Sequence, residues 1–190
     1  MAPGDRWFFD RIAPVYDLFM PPASAGTLAS ALEHADRPVE RVLDVGGGTG
    51  RATRAIDTPE RIVLDASAGM LARAPAGIER VRGGARALPF PDASVDAALI
   101  VDAFHHLPEG ERVLDAVARV LRPGGVLVIA EFDPSTLRGR MLEAGEHLIG
   151  MESRFYTPAE LTAALSEARL DPAVVEEDFG YAVAATKPGA

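Results

Sequence analysis

A chain of 190 residues is long enough for one sizeable α/β domain and too short for two ordinary ones. Its formal net charge of -9, with no block of Lys or Arg, disfavours a nucleic-acid ligand, and the absence of cysteine excludes disulfides, thiolate zinc sites and a thiol nucleophile. No apolar run approaches the roughly 18 residues of a membrane span and no basic-then-apolar leader opens the chain, so a single cytoplasmic domain spanning 1–190 is expected.

Residues Trp7 to Phe19 mix aromatic and apolar positions with Asp10, Arg11 and Asp17, as an amphipathic helix or lid would, and Pro14, Pro21 and Pro22 divide it. A helix is predicted from Thr27 to Glu33. Strands and helices then alternate as in a parallel sheet, with strands near 41–45, 61–65, 78–82, 95–101 and 125–131. Helices fall near 50–56, 67–73 and 109–121, the last after a Pro108-Glu109 start signal. Leu137, Met141, Leu142, Leu148 and Ile149 recur at helical spacing, and Gly139, Gly145 and Gly150 soften that helix, which suits one wall of a substrate pocket over 134–157. Thr157-Pro158-Ala159-Glu160 has the pattern of a capping box with proline at the first helical position. Extended segments near 173–179 and 180–186 finish the sheet as an antiparallel edge pair.

The most informative stretch is Val42-Leu43-Asp44-Val45-Gly46-Gly47-Gly48-Thr49-Gly50, an apolar strand running into a glycine turn that lets a ligand approach the main chain. Asp44 would repel the pyrophosphate of a dinucleotide at the following helix N-terminus. The spacing departs from the dinucleotide fingerprint as well: Gly46-x-Gly48 is followed by Gly50, and Arg51 stands where the last Gly or Ala belongs. A cationic ligand without phosphates fits better. Asp65 closes the run Arg61-Ile62-Val63-Leu64-Asp65 about 20 residues on, the separation at which an acid reaches ribose hydroxyls.

On these residues the chain resembles the class I methyltransferases that use S-adenosylmethionine. Further segments match in order: Leu88-Pro89-Phe90-Pro91-Asp92-Ala93-Ser94-Val95-Asp96, Phe104-His105-His106-Leu107 and Leu121-Arg122-Pro123-Gly124-Gly125-Val126-Leu127. The opening Phe9-Asp10-Arg11-Ile12-Ala13-Pro14-Val15-Tyr16-Asp17 is similar to the signature of the ubiquinone and menaquinone methyltransferase subgroup. The resemblance implies a Rossmann-like three-layer α/β sandwich with a mostly parallel seven-stranded sheet and an antiparallel C-terminal strand. It implies S-adenosylmethionine as cofactor, held by Asp44, Gly46, Gly47, Gly48, Gly50, Asp65, Ala66, Met70, Ala85, Arg86, Ile100 and Tyr16. Many relatives carry an acid before Ala85 for the adenine amino group, and this chain has Gly84. Adenine recognition then falls to backbone groups and apolar walls, and one hydrogen bond is worth only about 0.5–1.5 kcal/mol.

Three residues past the fourth strand are candidate proton acceptors: Asp102, His105 and His106. Each also has a structural reading, as a local hydrogen-bonding or capping group, and in an extended chain two adjacent histidines would not face one way. No metal-ligand spacing, serine nucleophile elbow or Walker loop occurs, so no metal is expected. The expected activity is methyl transfer to a small acceptor, quinone-like or another apolar or aromatic compound. The alternative is a non-catalytic S-adenosylmethionine-binding or regulatory protein with the same fold.

Overall fold

The structure is a computed structural model that describes residues 3–20, 23–177 and 180–189; Pro21, Pro22 and the end of the extended segment predicted over 173–179 lie outside the described residues. The amphipathic opening forms α1 (Pro3–Ile12) and α2 (Tyr16–Phe19), and the predicted third helix is α3 (Ala25–Leu32), capped by the Ser24 hydroxyl. Seven strands follow: β1 (Arg41–Val45), β2 (Glu60–Asp65), β3 (Glu79–Arg82), β4 (Val95–Val101), β5 (Leu121–Phe132), β6 (Asp171–Glu177) and β7 (Gly180–Thr186). Their order in the sheet is β3-β2-β1-β4-β5-β7-β6. The first five strands run parallel, and β7 enters antiparallel between β5 and β6.

Parallel strands covered on both faces read as apolar blocks instead of alternating patterns, which is why β1, β2, β4 and β5 stand out in the sequence. One face carries Leu43, Ile62, Ile100 and Leu127 against α6 (Gly110–Val120) and α8 (Pro158–Glu167), through Val113, Val117, Leu161 and Leu165. The other carries Val42, Leu99, Val126 and Val128 against Leu28 and Ala31 of α3 and Ala52 of α4 (Arg51–Ala55). Helices α5 (Ala68–Leu71) and α7 (Leu137–Leu148) complete the chain, and α8 has the full capping box read from Thr157 and Glu160. Among the described residues no helix is long and apolar enough to cross a membrane.

Most boundaries shift by one or two residues from the sequence reading, and two shifts have a definite backbone cause. β5 starts at Leu121 instead of near 125, because Leu121 pairs with Val95 and a register shift then absorbs the Pro123-Gly124 turn. Gly125 is required there, since a Cβ would stand 2.6 Å from the Asp96 carbonyl oxygen. The helix after Pro108 begins at Gly110, because Glu109 adopts a left-handed conformation with φ 56°.

The strand order reverses between β1 and β4, so their C-terminal ends flank the crevice where open α/β sheets bind ligands. At its far side α7 approaches closely through Gly139, whose added Cβ would fall on the Asp133 carbonyl group. Gly139→Ala should therefore displace the start of α7 and lower the unfolding free energy by about 1–3 kcal/mol. Urea unfolding should show a lower midpoint at an unchanged m-value.

Candidate functional site

Leaving β1, the chain turns through a glycine run with φ of 72° at Gly46, 55° at Gly48 and 78° at Gly50. A Cβ at Gly47 would collide with the Asp44 carboxyl group, so the turn lies directly on that acid. Asp44 is fully buried; Thr53 donates a 2.9 Å hydrogen bond to Oδ2, while Oδ1 is buried without a hydrogen-bond partner. Burial pushes its carboxyl up to about 6, against the pull of the Thr53 hydrogen bonds. At the end of β2, Asp65 accepts from the Gly48 N–H at 3.0 Å and the Ser67 N–H at 2.7 Å, which couples the two strand ends. Burial raises its carboxyl too, and each oxygen retains a lone pair for a ligand hydroxyl.

Just past the end of β4, Asp102 is held with φ 49° and paired to Arg51 at 2.6 Å. The Arg51 guanidinium lies 5.6 Å from the centre of the Tyr16 ring, whose phenol burial lifts to about 12. Tyr16, Asp44, Gly46, Gly47, Gly48, Arg51, Asp65, Met70, Asp102 and His106 share one cleft. From Asp65 a narrow continuation runs past Ala66 to Gly83, Gly84 and Ala85. Three of the expected contacts lie elsewhere. Gly50 shapes the turn into α4, Ile100 is wholly buried in the core, and Arg86 pairs with Glu109.

Beside this cleft is an apolar cavity of about 560 Å³, walled by Phe8, Phe9, Ile12, Tyr16, Phe132, Leu142, Ile149 and Met151, with Asp102, His105, His106 and Glu146 as its polar groups. Both histidines border it. The expectation of opposite-facing rings fails because residues Phe104–His106 wind into a 3₁₀ turn instead of staying extended. Glu131, buried at the end of β5, causes that winding by accepting from the N–H groups of Ala103, Phe104 and His105.

The two rings have opposite electrostatics. Burial by itself would depress His105, but Glu131 Oε2 at 2.6 Å from Nδ1 and Glu146 Oε1 at 3.6 Å from Nε2 override it and hold the imidazolium up to about 10. His106 is pushed down to about 3, by burial first and then by the charge on His105. Ser153 gives its proton to Glu146, so its oxygen accepts from His106 Nδ1 at 3.2 Å and Nε2 becomes the basic nitrogen. The ligand atoms of His105, His106 and Glu146 lie within 4.8 Å of one another, and the cluster is organised as a charge-paired network. Glu146 and Ser153 escaped the sequence reading because they reach the histidines from α7 and the segment after it, Ser153 being 47 residues from His106.

The sheet order, the glycine turn over one strand-end acid and the second acid at the end of β2 define the class I methyltransferase architecture. Residues 43–129, from β1 to β5, match the methyltransferase domain family, and the chain resembles its ubiquinone and menaquinone subgroup. Over 140 residues it is 36% identical to a demethylmenaquinone methyltransferase of Renibacterium salmoninarum, covering 67% of this chain and 58% of that protein. It is 41% identical over 144 residues to a ubiquinone/menaquinone biosynthesis C-methyltransferase of Methylobacterium nodulans, covering 65% and 57%. The chain thus spans under three fifths of the length of both relatives. A solved S-adenosylmethionine-dependent methyltransferase of Thermotoga maritima superposes with a TM-score of 0.78 at 23% identity, over 96% of this chain and 99% of that one.

The histidine pair makes a pH prediction with a definite sign. His105 titrates near 10 when folded and near 6.5 when unfolded, so its stabilising contribution is complete below pH 6.5 and is lost as pH rises through about 10. Imidazole NMR titration should show His105 protonated up to about pH 10 and His106 neutral down to about pH 3. Glu131→Gln should lower the first value and flatten the fall in stability on the alkaline side.

Proposed function

We propose that the chain transfers the methyl group of S-adenosylmethionine to a small apolar or aromatic acceptor, with quinone-like rings as the favoured class. The observation that carries this reading is the buried, unpartnered Oδ1 of Asp44 under a turn built for close approach. An acid left without a partner at that position is matched by the ammonium end of a cationic amino-acid nucleoside and mismatched to a pyrophosphate. Asp65 would take ribose hydroxyls, and Met70 with Ala66, Gly83, Gly84 and Ala85 would hold a flat purine between apolar and backbone surfaces. The activities for which the two quinone-pathway relatives are named support the acceptor class.

The sulfonium supplies an already activated methyl group. What the protein adds is a dry cavity that holds the nucleophile in line with it. The sulfur–methyl bond breaks as the acceptor–methyl bond forms, and an acceptor hydroxyl or carbon acid must lose a proton. Asp102 is the best placed of the three candidates to take it, since it borders both the cleft and the cavity and burial raises its carboxyl above the ordinary range. His106, neutral but a weak base, is suited to accept a hydrogen bond from the acceptor and orient it. His105, between two carboxylates, keeps its proton up to about pH 10 and serves as a positive charge at neutral pH.

Calorimetry should show saturable binding of S-adenosylmethionine and S-adenosylhomocysteine and none of NAD. Asp65→Asn keeps the side-chain shape but loses charge-assisted acceptors, and should weaken adenosyl binding about tenfold to a hundredfold. With a competent quinol acceptor, Asp102→Asn should lower kcat and His106→Gln should chiefly raise KM. Absence of adenosyl binding in the parent protein would sink the enzymatic reading.

A further inference from the structure

Apart from Val174 on β6, every exposed large apolar side chain among the described residues belongs to residues 7–18 or 137–149. The list is uncommon for a surface: Trp7 is 66% exposed, Leu18 80%, Met141 68% and Leu148 87%. Single exposed apolar residues are ordinary, but such a concentration marks an interaction surface. These segments are the same ones that wall the apolar cavity. Val15 and Ile149 both line it and are 42% and 60% exposed, so the cavity opens between them, inside the apolar rim.

We infer that this rim seats the protein on a phospholipid surface, with the cavity mouth facing the lipid. A second copy or another protein on the same rim would close the entrance through which an acceptor must pass. A lipid surface covers the apolar side chains and also delivers an acceptor dissolved in it. The residue types suit that role: Trp7 is an interfacial side chain, and the Arg11 guanidinium lies over its ring, 5.6 Å from the ring centre, where it can also meet lipid phosphate. Leu137, Met141 and Leu148 form a stripe along the outer face of α7, opposite Leu142 and Glu146, which line the cavity. With a net charge of -9 the chain gains nothing from anionic lipid, so seating is driven by apolar burial. The choice of a lipid surface rests on the proposed small-molecule acceptor entering this cavity, but its test uses neither cofactor nor acceptor, so the two readings fail separately.

Trp7 is the chain's single tryptophan and lies in the rim, so its emission reports the contact directly. Phosphatidylcholine vesicles should shift that emission to the blue and carry the protein upward in flotation, with brominated lipid quenching it. Leu148→Glu and Leu18→Glu, both at exposed positions, should each lower the partition coefficient about tenfold while the circular dichroism spectrum is unchanged. Adding anionic lipid should not tighten binding. An emission unchanged by vesicles would overturn the inference, as would binding that requires anionic lipid. A dimer in sedimentation that Leu148→Glu dissolves would also overturn it, in favour of a second copy on the rim.

Discussion

Glu131 gathers four donors at the end of β5: the N–H groups of Ala103, Phe104 and His105 at 3.1, 2.7 and 3.4 Å, and the His105 ring at 2.6 Å. A buried carboxylate lacking such partners would cost several kcal/mol, so the chain leaving β4 has to turn its amides toward it. It does so by winding into a 3₁₀ turn. That one constraint sets the direction of both histidine rings, next to Asp102 where the cleft and the apolar cavity meet. Remove the acid and the turn has no reason to form.

The same accounting runs through the cleft. Asp44, Asp65 and Asp102 are three acids in a small buried volume, with Arg51 as the cation lining it. Arg51 is committed to Asp102, and Asp65 to two backbone donors, which leaves half of the Asp44 carboxyl uncompensated. Burial raises all three acids, the mark of a region that lacks positive charge. A ligand carrying an ammonium and a sulfonium corrects that imbalance, whereas one carrying phosphates would deepen it. The specificity of the cleft is therefore electrostatic before it is steric.

The strand-end acids and the glycine turn were legible in the sequence, and the partners of the histidine pair were not. Asp44, the glycine run and Asp65 lie at the ends of adjacent strands whose apolar blocks are unmistakable, and their geometry follows from local backbone. β1 to β4 matched the prediction closely for the same reason. The roles of His105 and His106 could not be separated from spacing, because they are decided by Glu131, Glu146 and Ser153, which reach them across the fold. Nor could Arg86 and Ile100 be placed correctly by position along the chain: one is drawn off by Glu109, the other is claimed by the core. Residues whose function is set by one neighbouring turn can be read from sequence; residues set by long-range charge pairing cannot.

The opening helices couple the two halves. The Asp10 carboxylate accepts from the Ser67 hydroxyl at 2.5 Å and the Gly69 N–H at 2.9 Å, and Asp17 accepts from Thr49 at 2.6 Å and Arg54 at 2.8 Å. These bonds fasten α1 and α2 to the cofactor side, while Phe9 and Tyr16 of the same helices wall both the cleft and the cavity. Phe9 also meets the His106 ring edge-on at 5.1 Å. Any ligand that orders these rings from one side prepaying their conformational entropy makes binding on the other side easier, and the coupling is reciprocal. Because the rim of exposed apolar residues belongs partly to these helices, contact with a lipid surface would act on the same element. The cleft, the cavity and the apolar rim thus meet at one short N-terminal segment, whose buried apolar packing is the small cluster around Phe9, Ala13, Met70 and Met151. A segment held by two acid latches and a few apolar contacts can open at low cost, which is what a lid between two sites requires.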